Sequence, residues 1–570
     1  MALLVDPVRA LAKLLTIAGG KRLRGWNGLN RLAADHRDYY RNWIASAERR
    51  VLSPSAGEIS QPDPCCIVCA ILEGDDGGCA AASSEASVQA AFGDQAQVCR
   101  ISRRGKTPHS PGTGLTTFRD VVSAVPADVQ NCAWFIPLRA GDIVAASLPL
   151  LMRNFDKAER SQTAILFWDV DVMNGGRREE PWLRGAWDPW LHLSRDTLGG
   201  ASAINIAEIA KLPDACLDLP LDRFAVAAIQ NRLAFGNANS PRHVAGVGTH
   251  WMMQEGPISP SEWPTIVAEH CMPAVEQIAS GQGPFLPIVP VAPANWPSVS
   301  IIVPTKDQPG HLAGCMASLD RLDYPGLLQR IIIDNGTTDA AALRILAEAA
   351  GRNDTVVLKD DRPFNYSALN NFGVGHADGD YLCLLNNDIE ATDGDWLTTL
   401  VKFAVQPGIG AVGPLLTYPD GRIQHAGVAI GIGDAAGHVA RFARPDDPSH
   451  GAWHQATRSV AAVTGACLIV SRAHFNAVGG LDEQAFAVAF NDVDLCLKLR
   501  GLGLANIFTP AARLIHHESV SRGDDMKPEN RARFDGELSH FKQRWQSADF
   551  TDPHYSPLFS RSSEQCLLRF

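Results

Sequence analysis

The chain has 570 residues, of which 46% are hydrophobic and 20% charged, so it exceeds one hydrophobic core and should form two or three domains. The net charge of −11 argues against nucleic-acid binding, which requires a basic surface. No apolar run approaches the roughly 20 residues needed to span a bilayer. The thirteen cysteines lie mostly within apolar runs, which is typical of a reducing compartment. We therefore predict a cytoplasmic protein.

Residues 1–59 are predicted to form a basic helical extension. Within it, residues 1–50 contain ten Lys and Arg but four Asp and Glu, beside apolar residues such as Leu11 and Trp26. One interpretation is peripheral contact of residues 1–50 with anionic lipid at the inner face of the cell membrane, or with a partner. The other, which we favour, is a solvated extension that packs on the next domain.

Residues 60–285 alternate between apolar strand patterns and helical patterns, as in an α/β domain. Two of the strands, AWFIPL from Ala133 and AILFW from Ala164, lead into acidic residues. We expect these acids at strand ends: Asp142, Asp169 and Asp171. Residues 286–297 are rich in proline and predict a linker.

Residues 298–550 repeat the alternation with greater regularity, and residues 551–570 would form a C-terminal tail. Strands are predicted over 299–303, 330–333, 356–358 and 381–385, with helices between them. Helical crossovers of this length imply parallel strands in a doubly wound sheet. Its carboxyl edge would then gather four polar residues: Thr305, Asp307, Asp334 and Asp388.

The strand YLCLL, which ends at Leu385, runs directly into Asn386, Asn387 and Asp388. Carboxylate and amide oxygens at a strand end can hold Mg²⁺ or Mn²⁺. A surface turn is an equally good explanation of this stretch alone, since Asn and Asp dominate turns.

Other polar residues beside these strands also allow two interpretations. Asn365 and Asn370, in FNYSALNN, could serve a ligand or cap a helix. Asp492 and Asp494 begin a helix, where capping is the ordinary role of a carboxylate, although Asp492 has the type and setting of a general base. The segment LIHHES supplies a histidine that could join the metal.

Ordered motifs across residues 296–550 resemble family 2 glycosyltransferases of bacterial cell-surface polysaccharide synthesis. The motifs are VSIIVPTKDQPGHLAGCMASL, IIIDNGTTD, FNYSALNNFGVGHADGDYLCLLNNDIE, YPDGRIQHAGV, VTGACLIVSR, GGLDE, FNDVDLCLKLRGLG and LIHHESVSRG. The resemblance implies a GT-A fold, a nucleotide-diphosphate sugar donor, a glycan or lipid-linked acceptor, and inversion at the anomeric carbon.

By this resemblance Asp492 is the catalytic base and Asp388 a ligand of Mg²⁺ or Mn²⁺. His516 matches the late metal-binding histidine better than His517. The first Asp of the family's DxD motif is replaced by Asn386. Nucleotide-sugar contacts are assigned to Pro304, Thr305, Asp307, Asp334, Asn365, Asn370, Asn387 and Gly465.

Residues 60–285 resemble the first domain of tandem members of the same family, although their metal motif reads LRAGD and retains Asp142 alone. We predict a divergent, non-catalytic GT-A-like domain, in which Trp182, Trp187 and Trp190 either line an acceptor groove or fill the core. Two alternatives for the whole chain are a sugar nucleotidyltransferase and a sugar-binding scaffold. The first would need a Gly-rich phosphate loop, which IIVPTKDQPG is not.

Overall fold

The computed structural model describes residues 1–18, 22–36, 38–49, 66–72, 79–101, 115–153, 162–236, 241–252, 262–270, 275–277, 284–447, 449–517 and 528–570. Its α-helices are α1 Ala2–Val5, α2 Pro7–Ala18, α3 Arg22–Ala34, α4 Tyr39–Trp43, α5 Cys79–Phe92, α6 Phe118–Ser123, α7 Leu148–Arg153, α8 Pro189–Ser194, α9 Ile206–Ala210, α10 Asp214–Leu217, α11 Arg223–Gly236, α12 Trp263–His270, α13 Pro309–Asp320, α14 Ala340–Ala350, α15 Tyr366–Val374, α16 Trp396–Ala404, α17 Arg472–Ala477, α18 Asn491–Gly501 and α19 Pro528–Trp545.

The strands alternate with these helices and build two large sheets. They are β1 Ile67–Leu72, β2 Ala96–Ile101, β3 Trp134–Arg139, β4 Ile143–Val144, β5 Ile165–Asn174, β6 Arg177–Trp182, β7 Ser202–Asn205, β8 Arg242–Trp251, β9 Val275–Gln277, β10 Ile288–Pro290, β11 Val299–Thr305, β12 Leu328–Asp334, β13 Thr355–Lys359, β14 Tyr381–Leu385, β15 Ile389–Glu390, β16 Ile409–Thr417, β17 Ile423–His425, β18 Val428–Ile430, β19 Ala436–His438, β20 Arg458–Val460, β21 Cys467–Ser471 and β22 Ala505–His516.

The first sheet has the strand order β2-β1-β3-β7-β5-β8-β4, and we call the unit built on it the N-terminal domain. The second has the order β13-β12-β11-β14-β21-β16-β22-β15 and defines the C-terminal domain. The predicted α/β fold is confirmed, and the four strands predicted to be parallel are parallel, but each complete sheet is mixed. In the C-terminal domain β11, β12, β13 and β14 are parallel, whereas β21 runs antiparallel to both β14 and β16.

The two sheets repeat one topology strand for strand. Removing β13 from the second order leaves seven strands that match the seven of the first, from β2 and β12 at one edge to β4 and β15 at the other. Every matched neighbouring pair also has the same direction, including the antiparallel pairs β4 with β8 and β15 with β22. The hairpin strand β6 pairs with β5 as β17 pairs with β16. The chain is therefore a structural tandem of two α/β units.

The segments predicted as an extension and a tail pack against each other. The buried indole of Trp43 donates a hydrogen bond to the carbonyl of Arg569 at 2.9 Å, and Asn30 donates to Ser562 at 2.9 Å. Residues 551–570 bury Leu558 and Leu567, because they line the core that the N-terminal helices cover. The predicted tail is thus an integral part of the fold.

Residues 286–297, predicted as a linker, contain β10, which pairs with β9 and buries Ile288 and Val289. The two domains also contact each other directly. The buried carboxylate of Asp188 accepts hydrogen bonds from the backbone and the hydroxyl of Ser459, at 2.7 and 2.9 Å. Among the residues that the structure describes, no helix combines the length and apolar character needed to cross a bilayer.

Candidate active site in the C-terminal domain

The carboxyl edge of the C-terminal sheet gathers side chains from neighbouring strands. Thr305 ends β11, directly after the buried Pro304, and its hydroxyl accepts a hydrogen bond from the amide of Asn387 at 2.9 Å. Asn387 follows β14, the neighbour of β11 in the sheet. The structure therefore brings together three of the residues assigned to the donor sugar nucleotide from two strands.

Asp307 and Asp334 face each other across a short turn. Asp307 adopts a left-handed backbone conformation with φ of 52°, and its carboxylate accepts backbone hydrogen bonds from Thr338 at 2.7 Å and Asp339 at 2.9 Å. Those backbone N–H groups lower the pKa of Asp307. Thr337 links the two acids, since its hydroxyl accepts from the backbone of Asp307 and its backbone donates to Asp334. The link holds two carboxylates, both hydrogen-bond acceptors, close together at this sheet edge.

Asp388 and His516 meet because β15 is hydrogen-bonded to the end of β22, where Ile389 lies opposite His516. Nε2 of His516 lies 3.3 Å from Oδ1 of Asp388, and both side chains are buried. Burial raises the pKa of Asp388, but His516 outweighs that effect and the net shift is downward. The carboxylate is therefore charged at neutral pH.

These two residues fit a divalent cation. Nε2 of His516 faces Oδ1 of Asp388 at 3.3 Å, and this buried oxygen accepts no hydrogen bond from the described residues, so a cation could bind between the two atoms. Carboxylate oxygen and imidazole nitrogen are ligands that Mn²⁺ accepts, and Mg²⁺ accepts the carboxylate readily. No cluster of three or more His, Cys, Asp or Glu suited to a metal occurs within the described ranges, so water or substrate oxygens would complete the coordination.

His517 has a different environment from His516. Its backbone donates to the carbonyl of Asp388 at 3.0 Å, and its ring lies 3.0 Å from the half-exposed carboxylate of Glu390. The ring of His311 lies 5.2 Å away between centroids. Because His517 pairs with Glu390, and His516 with Asp388, the geometry favours His516 as the ligand beside Asp388.

Asp492 lies at the first turn of α18 and is held by two backbone donors. Its Oδ2 accepts from Gly465 at 2.8 Å and its Oδ1 accepts from Val493 at 2.9 Å. Each oxygen keeps a second acceptor position, and the residue is half-buried. A carboxylate that is oriented but not saturated can receive a proton from a bound hydroxyl group.

The sequence analysis missed Tyr366, which orients this carboxylate through Gly465. The hydroxyl of Tyr366 donates to the carbonyl of Gly465 at 2.6 Å, while the backbone N–H of Gly465 donates to Asp492. A side chain at Gly465 would come within 3.2 Å of Tyr366 and 3.4 Å of Asp492, so glycine preserves this contact. Tyr366 stands in FNYSALNN, one of the motifs that carried the resemblance.

His425, in the motif YPDGRIQHAGV, is a second residue that the sequence analysis left without a role. It is fully buried, and its Nδ1 lies 3.0 Å from Nδ1 of His438. Burial lowers the pKa of His425 well below its usual range, and the charges of His438, Arg458 and His516 lower it further. His425 is therefore a neutral imidazole in contact with His438.

Three of the remaining predicted residues have mainly structural partners. Asn365 caps α15 by accepting from Ala368, and its amide donates to the carbonyl of Glu483. Asn370 donates to the carbonyl of Tyr366 at 2.8 Å, while its Oδ1 is buried without a partner among the described residues. Asp494 accepts from Arg544 and Trp545 at 3.0 Å each, so it anchors α18 to α19.

A hydrogen bond between neighbouring strands brings the two acidic centres to one end of the sheet. The backbone of Asn386 donates to the carbonyl of Ala466 at 2.9 Å, where β14 ends and β21 begins. Asp388 follows Asn386 by two residues, and Asp492 is bonded to Gly465, the neighbour of Ala466. Asp388, the candidate metal ligand, and Asp492, the candidate base, therefore lie beside the same strand ends.

Residues 300–479, which include most of this edge, match the family model described as Glycosyl transferase family 2. The C-terminal domain belongs to glycosyl transferase family 2. Among curated proteins, the chain is 43% identical over 294 residues to an uncharacterized protein, y4gI, of Sinorhizobium fredii (strain NBRC 101917 / NGR234), covering 50% of this chain and 32% of that protein.

The O-antigen biosynthesis protein RfbC of Myxococcus xanthus is 32% identical over 427 residues, which cover 72% of this chain and 32% of that protein. The chain thus spans about a third of the length of these two relatives. Among solved structures, the mannosyltransferase PcManGT from Pyrobaculum calidifontis, in complex with GDP-Man and Mn²⁺, matches with a TM-score of 0.33. It is 19% identical over 47% of this chain and 70% of that chain.

The N-terminal domain has residues equivalent in position to Asp388 and His516 of the family 2 domain. Ile143 pairs with His250 as Ile389 pairs with His516, so Asp142 matches Asp388 in register. Yet Asp142 does not meet His250. Its Oδ1 accepts from Arg139 at 2.8 Å and from the backbone of Met252 at 3.0 Å.

His250 instead lies 2.5 Å from Asp171, which also pairs with Arg178. We expected Asp169 and Asp171 at a strand end, but both are buried inside β5. The expectation was wrong because each acid has hydrogen-bond partners within the sheet, His243 and the backbone of Gly246 for Asp169 and Arg178 for Asp171. Neither acid is available at the edge of that sheet.

Proposed function

We propose that this chain is an inverting glycosyltransferase, which moves a sugar from a nucleotide-diphosphate sugar to a hydroxyl group of a growing surface polysaccharide or lipid-linked glycan. The family 2 domain supports the reaction class, and the similarity to an O-antigen biosynthesis protein supports the product class. One observation underlies the proposal: an oriented carboxylate, that of Asp492, lies at the same sheet edge as the buried Asp388 and His516.

In this proposal the donor nucleotide lies at the sheet edge where β11 and β12 end, beside Asp307 and Asp334. The carboxylates of Asp307 and Asp334 can accept hydrogen bonds from base or ribose groups. Thr305 and Asn387, already bonded to each other, form the wall toward the diphosphate. Nucleotidyl transfer is disfavoured because the turn after β11 has no Gly-rich phosphate loop.

Asp388 and His516 would hold Mg²⁺ or Mn²⁺ beside the donor diphosphate. When bound, the cation neutralises the negative charge that develops on the leaving nucleotide. Both side chains are buried, and the low local dielectric strengthens electrostatic stabilisation of the departing group. Asn386 and Asn387 supply neutral amides beside the carboxylate of Asp388.

Asp492 would act as the general base. Its carboxylate accepts the proton of the acceptor hydroxyl while that oxygen bonds to the anomeric carbon, and the bond from this carbon to the diphosphate oxygen breaks. One base on one face gives a single displacement with inversion. Gly465 and Tyr366 keep the carboxylate aimed at the acceptor side, since they fix one of its oxygens.

A panel of nucleotide-diphosphate sugars, incubated with the protein, a lipid-linked or oligosaccharide acceptor and Mg²⁺ or Mn²⁺, tests the proposal. We expect nucleotide release coupled to glycan extension for at least one donor, and the new linkage should have the opposite anomeric configuration by NMR. Retention of configuration, or pyrophosphate release instead of nucleoside diphosphate, would contradict it.

We further propose that the N-terminal domain does not catalyse transfer. Arg139 supports this, because its guanidinium pairs with the carboxylate that a cation would need. The isosteric Asp142→Asn variant should therefore retain transfer within a few-fold of wild type. Loss of one of two distinct linkages in the product of that variant would show that the N-terminal domain is itself a transferase.

Membrane contact through residues 1–50 is also part of the proposal. The excess of basic residues in this segment suits an anionic surface. Four leucines of α1 and α2 are more than half exposed, Leu3, Leu4, Leu11 and Leu15, and they supply apolar surface for the same contact. Such contact would bring the active site to lipid-linked acceptors.

A further inference from the structure

A cavity of about 1220 Å³ lies outside the site described above, in the N-terminal domain. Its walls come from parts of the chain far apart in sequence: α4, the hairpin of β5 and β6, the end of β8, and residues of the C-terminal segment such as Phe559 and Leu568. The volume exceeds the roughly 300–1,000 Å³ of drug-sized ligand pockets, so the cavity can admit an extended molecule.

Aromatic side chains dominate one side of the cavity. Trp182 and Trp251 have ring centroids 6.0 Å apart, and Tyr39 and Tyr40 approach from α4. Both tryptophans are at least 95% buried, and neither indole N–H has a hydrogen-bond partner among the described residues. A buried donor without a partner is costly, and a ligand or ordered water that accepts from it removes that cost.

Charges around the cavity balance. Four arginines accompany four carboxylates in the lining, and at least two pairs are already joined, Arg178 with Asp171 at 2.5 Å and Arg41 with Asp38 at 3.9 Å. A phosphate-bearing or polyanionic ligand would require an excess of basic groups. Buried donors without partners, combined with balanced charges, suit a neutral ligand rich in hydroxyl groups. The arginines and carboxylates of the lining are Arg41, Arg177, Arg178, Arg195, Asp38, Asp171, Glu179 and Glu180.

We infer that this cavity is a binding site for a neutral saccharide chain. The hydroxyl groups of the saccharide exchange hydrogen bonds with the indole N–H groups and the polar rim. That the bound saccharide is part of the acceptor glycan rests on the proposed function, whereas saccharide binding itself does not. The N-terminal domain would then retain the growing chain while the family 2 domain extends it.

Binding of neutral malto-, cello- and manno-oligosaccharides to the full chain, measured by calorimetry in EDTA without nucleotide, tests the inference apart from catalysis. Trp182→Phe removes the indole N–H but keeps the aromatic packing, and Arg177→Ala changes an exposed rim residue. Each should weaken binding about threefold to tenfold, the size of one hydrogen bond.

Matched controls lie outside the cavity. Trp396 also has a buried indole N–H without a partner among the described residues, and Arg344 is an exposed arginine of α14. Trp396→Phe and Arg344→Ala should bind as wild type does, and Asp492→Asn should bind normally even where transfer is abolished. Three outcomes would each overturn the inference: no neutral oligosaccharide binds, uronic-acid oligosaccharides bind more tightly than neutral ones, or Trp182→Phe and Trp396→Phe bind equally.

Discussion

At the scale of single residues, the two domains differ in the residue beside an equivalent acid. Asp142 and Asp388 occupy equivalent positions in the two sheets. When β3 is aligned with β14 through their pairing with β1 and β11, Arg139 takes the position of Asn386 in the family 2 domain. A guanidinium supplies the positive charge that a divalent cation would otherwise supply. The same carboxylate can thus belong to a structural ion pair in one copy and a metal-type site in the other.

Asp388 and Asp492 should have separable roles. Asp492→Asn should bind donor and metal nearly as wild type but lose about 10²- to 10⁴-fold in transfer rate, because it removes a general base. Asp388→Ala should lose metal-dependent donor binding as well. Calorimetry of donor binding with and without Mn²⁺ distinguishes the two variants, and intact metal-dependent binding by Asp388→Ala would refute the assignment.

Arg139 should be required for stability, because its removal leaves the buried carboxylate of Asp142 without its ion-pair partner. Burial raises the pKa of Asp142, and Arg139 opposes that shift. Arg139→Asn should therefore lower the free energy of unfolding by roughly 3 kcal/mol, the usual cost of breaking a buried pair.

The double variant Arg139→Asn with Asp142→Asn should recover part of the loss of stability, since it removes both charges. Urea unfolding of the four proteins in this cycle measures the coupling between the two residues. Equal losses in the single and double variants would mean that the pair is not coupled.

Sequence patterns identified the acids of the site but not the residues that orient them. Asp388 and Asp492 follow recognisable strand and helix starts, whereas Tyr366 reaches Gly465 across 99 residues. Contacts of that separation leave no local periodicity. His425 was missed for the same reason, because its partner His438 belongs to a different strand.

At the scale of elements, the strands of the C-terminal domain were predicted best. The predicted strand Tyr381–Leu385 agrees with β14, and the predicted strand from Val299 extends only two residues farther, to Thr305. The prediction for β5 stopped at Trp168, but the strand continues to Asn174. Acidic residues normally end a strand pattern; here they remain inside because His243 and Arg178 pair with them.

Helix α2 should determine membrane affinity. Leu11 and Leu15 are 57% and 66% exposed. The variant Leu11→Gln with Leu15→Gln should bind anionic liposomes at least tenfold more weakly, because burying each leucine is worth about 1.5–3 kcal/mol. Sedimentation at low salt measures the change, and Leu343→Gln, on the exposed side of α14, is the matched control. Equal sedimentation with neutral and anionic lipid would reject the membrane proposal.

At the scale of the whole molecule, buried histidines make stability depend on pH. Burial lowers the pKa of His454 to about 4 and that of His554 to about 3, with Arg500 and Arg458 adding to the effect at His554. Both are therefore neutral in the native state. As pH falls below about 6.5, the unfolded chain takes up protons that the native state does not, so stability is lost toward the folded pKa values.

Urea unfolding at a series of pH values should show this loss between about pH 6.5 and 4, amounting to a few kcal/mol in wild type. His454→Gln and His554→Gln should each flatten the dependence. Burial raises the pKa of Asp188, which acts in the opposite direction, so each variant is compared with wild type at the same pH. An unchanged slope in both variants would show that other groups control acid unfolding.

The contact between Trp43 and Arg569 joins residues 526 positions apart, and it has a consequence for biosynthesis. A ribosome adds about 5–20 residues per second, so Trp43 waits on the order of a minute before its partner is made. During that time the aromatic side chains of α4 lack their cover. The nascent N-terminal domain is therefore expected to need a chaperone, or to fold late, whereas the contacts within the C-terminal sheet can form as soon as that domain emerges.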